Sequence, residues 1–236
     1  MGNMEKEWID KRLTEEQIKH LWNCIGESEG QSLNEALAGN ITKSDIIKDK
    51  NNWFFNNVLK ELVNELFLHQ MQNLPPVGFL GDPKQLNITK TYLEENPPEF
   101  YMNSFWVNYQ KQNEFNPLHC HRGLFSFVVF MQIPTRSKEQ HDLPFVKHSV
   151  EPSASDFQFV TLSPSVISSI QLSNFQLNPE DEGRMLFFPA NIMHQVYPFY
   201  GTEKERITIS GNIVQEEESL QKMIRECISK VNVATT

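Results

Sequence analysis

The chain has 236 residues, with 30 acidic side chains against 21 basic ones and a formal charge of -9. That balance, with no basic run, argues against nucleic acid as the main partner, because phosphate binding draws on clustered Lys and Arg. Three scattered cysteines, Cys24, Cys120 and Cys227, do not make a disulfide framework, no apolar run approaches membrane-spanning length, and the first six residues read as neither signal peptide nor myristoylation signal. A soluble protein of the cytoplasm is expected, with one well-buried domain and room for a helical appendage.

The chain opens with helix. Thr14-Glu15-Glu16-Gln17 is a capping box, and Ile18, Leu21, Trp22 and Ile25 follow at helical spacing until Gly26. Residues 53 to 70 predict a stronger helix, whose stripe of Val58, Leu59, Leu62, Val63, Leu66 and Phe67 suits packing against a sheet. The segment between them, Ala38-Gly39-Asn40-Ile41-Thr42-Lys43-Ser44, has no physical reading from sequence. Helix ends by Pro75-Pro76, and Gly78, Gly81, Pro83 and Pro97 mark a looped approach to about residue 100.

Strand signals then dominate. Ser104 to Gln110, Phe125 to Ile133, Phe157 to Leu162, Ser165 to Leu172, Arg184 to Phe188, Ile192 to Tyr197 and Arg206 to Val214 are rich in β-branched and aromatic residues and separated by turn formers. Seven short strands at this spacing indicate a sandwich or barrel. The polar stretch from Thr135 to Ser155 has the length of a functional loop. A last helix is expected from about Glu216, with Leu220, Met223, Ile224, Cys227, Ile228 and Val231 on one face, packed on the sheet or forming a dimer interface. The expected organisation is an N-terminal helical segment, residues 1–75, packed on a β core, residues 76–236, in a monomer or homodimer.

Chemistry concentrates at two places. In Asn116-Pro117-Leu118-His119-Cys120-His121, an extended backbone points His119 and His121 to one face and Cys120 to the other. His194, five residues after Phe187-Phe188-Pro189, lies in a second strand-like segment, and three neutral imidazoles on one side of a small cavity suit a divalent transition metal. In Arg206-Ile207-Thr208-Ile209-Ser210, alternation puts Arg206, Thr208 and Ser210 on one face and both isoleucines on the other. An inward Arg206 needs an anion, such as a ligand carboxylate held with help from Thr208 or Ser210; the other reading is a guanidinium that reaches solvent.

These residues, in the order Trp106-Val107-Asn108, Asn116 to His121, Phe125 to Met131, Gly183, Phe187-Phe188-Pro189, His194 and Arg206 to Ser210, resemble the iron(II)- and 2-oxoglutarate-dependent dioxygenases. More narrowly they resemble a group of such oxygenases frequent in marine bacteria and their phages, over roughly residues 104 to 214, and Ala38 to Phe55 is similar to that group's N-terminal segment. The resemblance implies a double-stranded β-helix, a jelly-roll barrel with flanking helices, that uses Fe(II), 2-oxoglutarate and O2 to hydroxylate a substrate it does not identify, a protein side chain or a small metabolite. It implies His119, His121 and His194 as metal ligands, with His121 where most of the superfamily has Asp or Glu. Arg206, with Thr208 or Ser210, would bind the far carboxylate of 2-oxoglutarate, and Asn108 and Tyr109 fall where relatives place a polar cosubstrate contact.

The departure at His121 leaves rival assignments open. His121 could be the first ligand with Gly123 at the carboxylate position, as in iron halogenases, or Asp142 or Asp156 from the polar loop could complete the site. A cupin-type metal-binding barrel without 2-oxoglutarate chemistry is the alternative from another class. His141 and His148 are expected in solvent.

Overall fold

Thr14 caps the first helix as its sequence requires: its hydroxyl accepts from the Gln17 amide at 3.3 Å, and its own amide donates to the Gln17 side chain at 3.0 Å. The computed structural model describes residues 7–28, 30–73, 98–162, 169–217 and 225–226. In chain order the elements are β1 (Ile9–Arg12), α1 (Glu15–Gly26), β2 (Ser44–Ile46), α2 (Lys60–Asn73), β3 (Phe100–Gln110), β4 (Asn116–His119), β5 (Phe125–Gln132), α3 (Ser137–His141), β6 (Phe157–Leu162), β7 (Ile170–Phe175), β8 (Arg184–Pro189), β9 (Met193–Val196) and β10 (Arg206–Gln215). A π-helical turn, Phe55–Leu59, leads into α2.

The strands form two antiparallel sheets, a larger one in the order β1-β8-β5-β10-β3-β2 and a smaller one in the order β4-β9-β6-β7. This is the jelly-roll arrangement of a double-stranded β-helix. Period-two alternation decides what each face of the larger sheet does. Phe105, Val107, Phe125, Phe127, Val129, Met185, Phe187, Ile207, Ile209 and Ile213 point outward into one apolar cluster with the helices, which contribute Leu21, Phe54, Val58, Leu59, Leu62, Val63 and Leu66. The alternate residues Val128, Phe130, Leu186 and Phe188 point inward and meet Phe157, Phe159 and Phe175 of the smaller sheet. Strands buried on both faces explain why β5 and β8 read as nearly continuous apolar runs.

The inner face does not stay apolar. Along β10 and β3 the inward positions are Arg206, Thr208, Ser210 and Asn212, and Trp106, Asn108 and Gln110, in register with one another. Polar side chains there hold the two sheets apart, and a cavity of about 520 Å³ opens between them.

Several elements depart from the sequence-based expectation. The N-terminal segment is not only helical: β1 pairs with β8 and β2 with β3, so it supplies both edges of the larger sheet. Trp22, placed on the apolar face by spacing, is 37 % exposed. The Thr135 to Ser155 loop is tied down by α3 and by the buried side chains of Thr135, Gln140 and Ser155. The expected C-terminal helix lies mostly outside the described residues, although Glu217, Arg225 and Glu226 are helical, and Pro75-Pro76 and most of the looped approach to β3 also lie outside them.

Gly211, between the inward Ser210 and Asn212 of β10, is required by close approach. A Cβ there would lie 2.7 Å from the buried Phe127 ring and 2.8 Å from the Ser104 carbonyl oxygen. Neither neighbour can withdraw easily, so Gly211→Ala is expected to destabilise the fold by about 1–3 kcal/mol, read as a lower urea midpoint at unchanged slope.

Candidate active site

His119 and His194 stand opposite each other across the β4–β9 ladder. His121 follows two residues after His119, its amide tied to the Ala190 carbonyl at 2.8 Å, so its ring returns to the same side. Ring centroids are 4.2 Å apart for His119 and His194, 4.8 Å for His121 and His194, and 5.2 Å for His119 and His121. Leu118 and Cys120 are exposed, but Cys120, which follows the end of β4, also lines the cavity beside the histidines, so it is not wholly turned from them as expected.

The tautomer of each ring is set by its other nitrogen. His119 Nδ1 lies 2.7 Å from the Pro117 carbonyl and His194 Nδ1 lies 3.0 Å from the Ile192 carbonyl. A carbonyl only accepts, so both Nδ1 atoms carry the proton and both Nε2 atoms present a lone pair. His121 Nδ1 lies 2.6 Å from Ser126 Oγ and 2.9 Å from Asn212 Oδ1, while that hydroxyl lies 3.0 Å from the Gly211 carbonyl oxygen. Its ring is therefore held the same way. His121 Nε2 and His119 Nε2 then face each other at 3.3 Å, two lone pairs that repel unless a cation stands between them. Ligand nitrogens about 2 Å from an ion and at right angles around it would be about 3 Å apart, so this spacing fits a bound ion. The donor set suits a divalent transition metal, iron(II) among them: three imidazoles on one side, each oriented by a second hydrogen bond.

Burial keeps these rings neutral. Desolvation, with the neighbouring rings adding to it, pushes His194 down to about 3 and His121 down to about 4, and burial lowers His119 as well. The unfolded chain takes up these protons below the ordinary value of 6.5 while the folded chain does not, so folding is fully favoured above that value. Stability is lost as pH falls from about 6.5 toward 4. The melting temperature of the metal-free protein should drop across that window, and a His121→Asn/His194→Asn protein should drop less.

Arg206 is wholly buried and lines the same cavity. Its Nη2 donates to the Ser155 carbonyl at 2.8 Å and to Ser155 Oγ at 2.6 Å, its Nη1 reaches Gln110 Oε1 at 3.5 Å, and its Nε has no partner among the described residues. Burial lowers its pKa to about 10 against the opposing pull of Asp156. The solvent-escape reading of Arg206 is thus excluded, and the guanidinium is under-satisfied on its cavity side. Among the described residues lining the cavity there is no Asp or Glu. Thr208 and Ser210 line it too, as does Asn108, whose side-chain oxygen accepts from Ser44 Oγ at 2.8 Å and whose amide reaches Thr208 Oγ1 at 3.5 Å.

Other expected residues are placed elsewhere. Tyr109 does not line the cavity; alternation turns it away from Asn108 to the outer face, where it packs on the apolar cluster beneath the Lys43 ammonium. Gly123 lies outside the cavity lining, and a Cβ on it would meet the Ile213 carbonyl oxygen at 2.9 Å, so a side chain there points into β10 rather than at the histidines. Asp142 is exposed, and Asp156 is fully buried behind Arg206, bound to His141 Nε2 at 3.0 Å. Neither carboxylate joins the three rings. His141 is consequently not solvated as expected, whereas His148 is exposed.

Sequence reasoning missed four features. Ser126 and Asn212 hold His121, and Asn212 continues the inward parity of Arg206, Thr208 and Ser210, a signal available in the sequence. Gln110 likewise shares the parity of Asn108. Ser155, at a positive φ of 72°, and Asp156 approach Arg206 from a distant loop, and nothing local announces them. The unread Ala38–Ser44 segment forms one wall of the cavity; Asn40 is tied to the Phe115 carbonyl at 2.8 Å, and Gly39 is pressed so close to Asn116 Oδ1 that a Cβ would overlap it.

A two-sheet jelly roll thus brings three convergent imidazoles, able to hold a metal ion, and a buried arginine suited to an anion into one cavity. Residues 104–212 match the model of a family described as "Putative 2OG-Fe(II) oxygenase". The match covers just under half of the chain, the strand-rich stretch that carries His119, His121, His194 and Arg206, and is a similarity of that stretch to the family. Among solved structures, the chain is similar to a prolyl-4-hydroxylase of Pseudomonas putida, with 12% identity, 89% of this chain and 93% of that one covered, and a TM-score of 0.45. It is similar to a viral collagen prolyl hydroxylase of Paramecium Bursaria Chlorella virus-1 in complex with 2OG, with 11% identity, coverage of 88% and 96%, and a TM-score of 0.45. An oxidoreductase of the 2OG-Fe(II) oxygenase family from Burkholderia pseudomallei is matched at 12% identity and a TM-score of 0.34; the match covers 50% of this chain and spans under half, 46%, of that one. No curated protein matches the chain. Among the described residues no helix is long and apolar enough to cross a membrane.

Proposed function

We propose that the protein is a hydroxylase in which His119, His121 and His194 hold iron(II) and Arg206 binds the far carboxylate of 2-oxoglutarate. The observation that carries this reading is the pairing, in one cavity, of three Nε2 lone pairs with a wholly buried guanidinium that meets no carboxylate in direct contact among the described residues. Iron and cosubstrate, once bound, supply oxidative decarboxylation of 2-oxoglutarate to succinate and carbon dioxide, with the second oxygen atom of O2 entering a substrate C–H bond.

The chain's own residues bind and orient. The carbonyls of Pro117 and Ile192 and the pair Ser126 and Asn212 fix the three rings before metal arrives. Three neutral ligands leave iron at a charge of +2 rather than the +1 left by a carboxylate, which strengthens its attraction for a dianionic cosubstrate. Arg206 offers a fork of N–H donors to the distant carboxylate, with Thr208 and Ser210 hydroxyls beside it. Phe130, Phe157 and Phe188 line the inner end of the cavity and exclude water from it. Ser155 and Gln110 fix the guanidinium from behind, and Asp156 balances its charge.

The test is succinate release from 2-oxoglutarate with iron(II) and air, since uncoupled turnover proceeds without the substrate that would be hydroxylated. Iron-dependent release that Cys120→Ser leaves intact is expected. A protein that takes up iron but never consumes 2-oxoglutarate would be a metal-binding barrel instead.

A further inference from the structure

A second set of donor atoms lies on the other side of the larger sheet, among the N-terminal elements. His20 and Cys24 are four residues apart on α1, so both side chains project from one face of the helix, the spacing at which paired ligands on a helix share an ion. Asp49 meets them from the loop that leads toward α2. His20 Nε2 is 3.1 Å from Asp49 Oδ1 and 3.4 Å from Cys24 Sγ, and the three donor atoms lie within 4.8 Å of one another. Cys24 and the side chain of Asp49 are almost fully buried, while the His20 side chain keeps 19 % exposure.

Hydrogen bonding uses this arrangement poorly. One imidazole nitrogen carries either a proton or a lone pair, so His20 Nε2 cannot donate to the carboxylate and also accept from the thiol. As a donor it leaves the contact with the thiol without a shared proton; as an acceptor it turns its lone pair on an oxygen of Asp49. The carboxylate is already oriented by the backbone, since Asp49 Oδ1 accepts from the Phe54 amide and Oδ2 from the Phe55 amide, each at 2.9 Å. Metal-ligating carboxylates are commonly held in this way. Burial and the nearby carboxylates of Asp49 and Glu27 push the Cys24 thiol up to about 11, which marks a pocket short of positive charge.

We propose that His20, Cys24 and Asp49 form a second metal site, separate from the three-histidine cavity and independent of its assignment, that takes a zinc-like divalent ion. Imidazole, thiolate and carboxylate are the ligand types that zinc accepts, and a fourth position would be completed by water. Binding breaks the Cys24 S–H bond, releases that proton to solvent and forms a sulfur–metal bond, with no change of oxidation state. The ion would clamp α1 to the start of α2, the two elements that cover the outer face of the larger sheet.

Cobalt(II) tests this directly, because a thiolate ligand gives a charge-transfer absorption in the near ultraviolet that imidazoles cannot give. The full-length Cys120→Ser/Cys227→Ser protein retains Cys24 as its one thiol. Titrated with cobalt(II) without oxygen, it should show a thiolate band that saturates at one ion, in addition to the ion taken by the three histidines. His20→Gln in that background should weaken cobalt binding at least tenfold by this band. A folded protein with no thiolate band in excess cobalt overturns the proposal, as does a band whose affinity His20→Gln leaves unchanged. If His20→Gln does not fold, the titration of the parent protein decides alone.

Discussion

His194→Ala is expected to reduce iron-dependent succinate release by at least about a hundredfold, beyond the range produced when only a ligand's outer partner is removed. The site has three protein donors converging on one point, and His194 is the deepest of them, stacked on Phe157 with ring centroids 5.6 Å apart. On the proposed assignment alanine removes one of three ligands, and among the described lining residues there is no carboxylate to replace it. His119→Ala should match it. Asn212→Ala, which releases His121 Nδ1 without removing a ligand, should cost less, roughly ten- to a hundredfold, and more in iron affinity than in turnover at saturating iron. Iron content and succinate measured on the same samples separate the two effects.

Arg206→Ala should raise the KM for 2-oxoglutarate by roughly thirtyfold or more, the consequence of losing a buried charge-assisted pair worth about 2–5 kcal/mol. Arg206→Lys keeps a cation near Asp156 but loses the fork, so it should recover only part of the affinity. The structure adds a qualification of mechanism. Arg206 also satisfies Ser155, a residue held at positive φ, and counterbalances a buried carboxylate, so the alanine variant should be less stable as well. The lysine variant distinguishes a loss of cosubstrate binding from a loss of folding: its melting temperature should lie near that of the parent while its KM remains high.

How much of this was legible in the sequence follows from the range of the interactions. Period-two alternation is a local rule, and it placed His119 with His121 and Arg206 with Thr208 and Ser210 correctly, because each set lies on a single stretch of chain. The same rule, applied consistently, would have separated Asn108 from Tyr109 and would have added Gln110 and Asn212. The apolar stripe of α2 was visible for the same reason, being written along one element. What local rules could not supply were contacts across long loops. Ser155 and Asp156 reach Arg206 from about fifty residues away, and the Ala38–Ser44 segment becomes a cavity wall only when β2 joins the sheet edge beside β3. Short strands such as β1 and β2 also escape detection: three or four residues give too little alternation, and it is their partners β8 and β3 that make them strands.

The most direct measurement adds 2-oxoglutarate to the iron(II)-loaded protein in the absence of oxygen and looks for the metal-to-ligand charge-transfer band that a chelated keto acid produces. The band should appear in the parent protein, need much more 2-oxoglutarate in Arg206→Ala, and be absent in His194→Ala. An iron-loaded parent protein that shows no band at saturating 2-oxoglutarate, or a band whose half-saturation is unmoved by loss of Arg206, would contradict the assignment of this cavity.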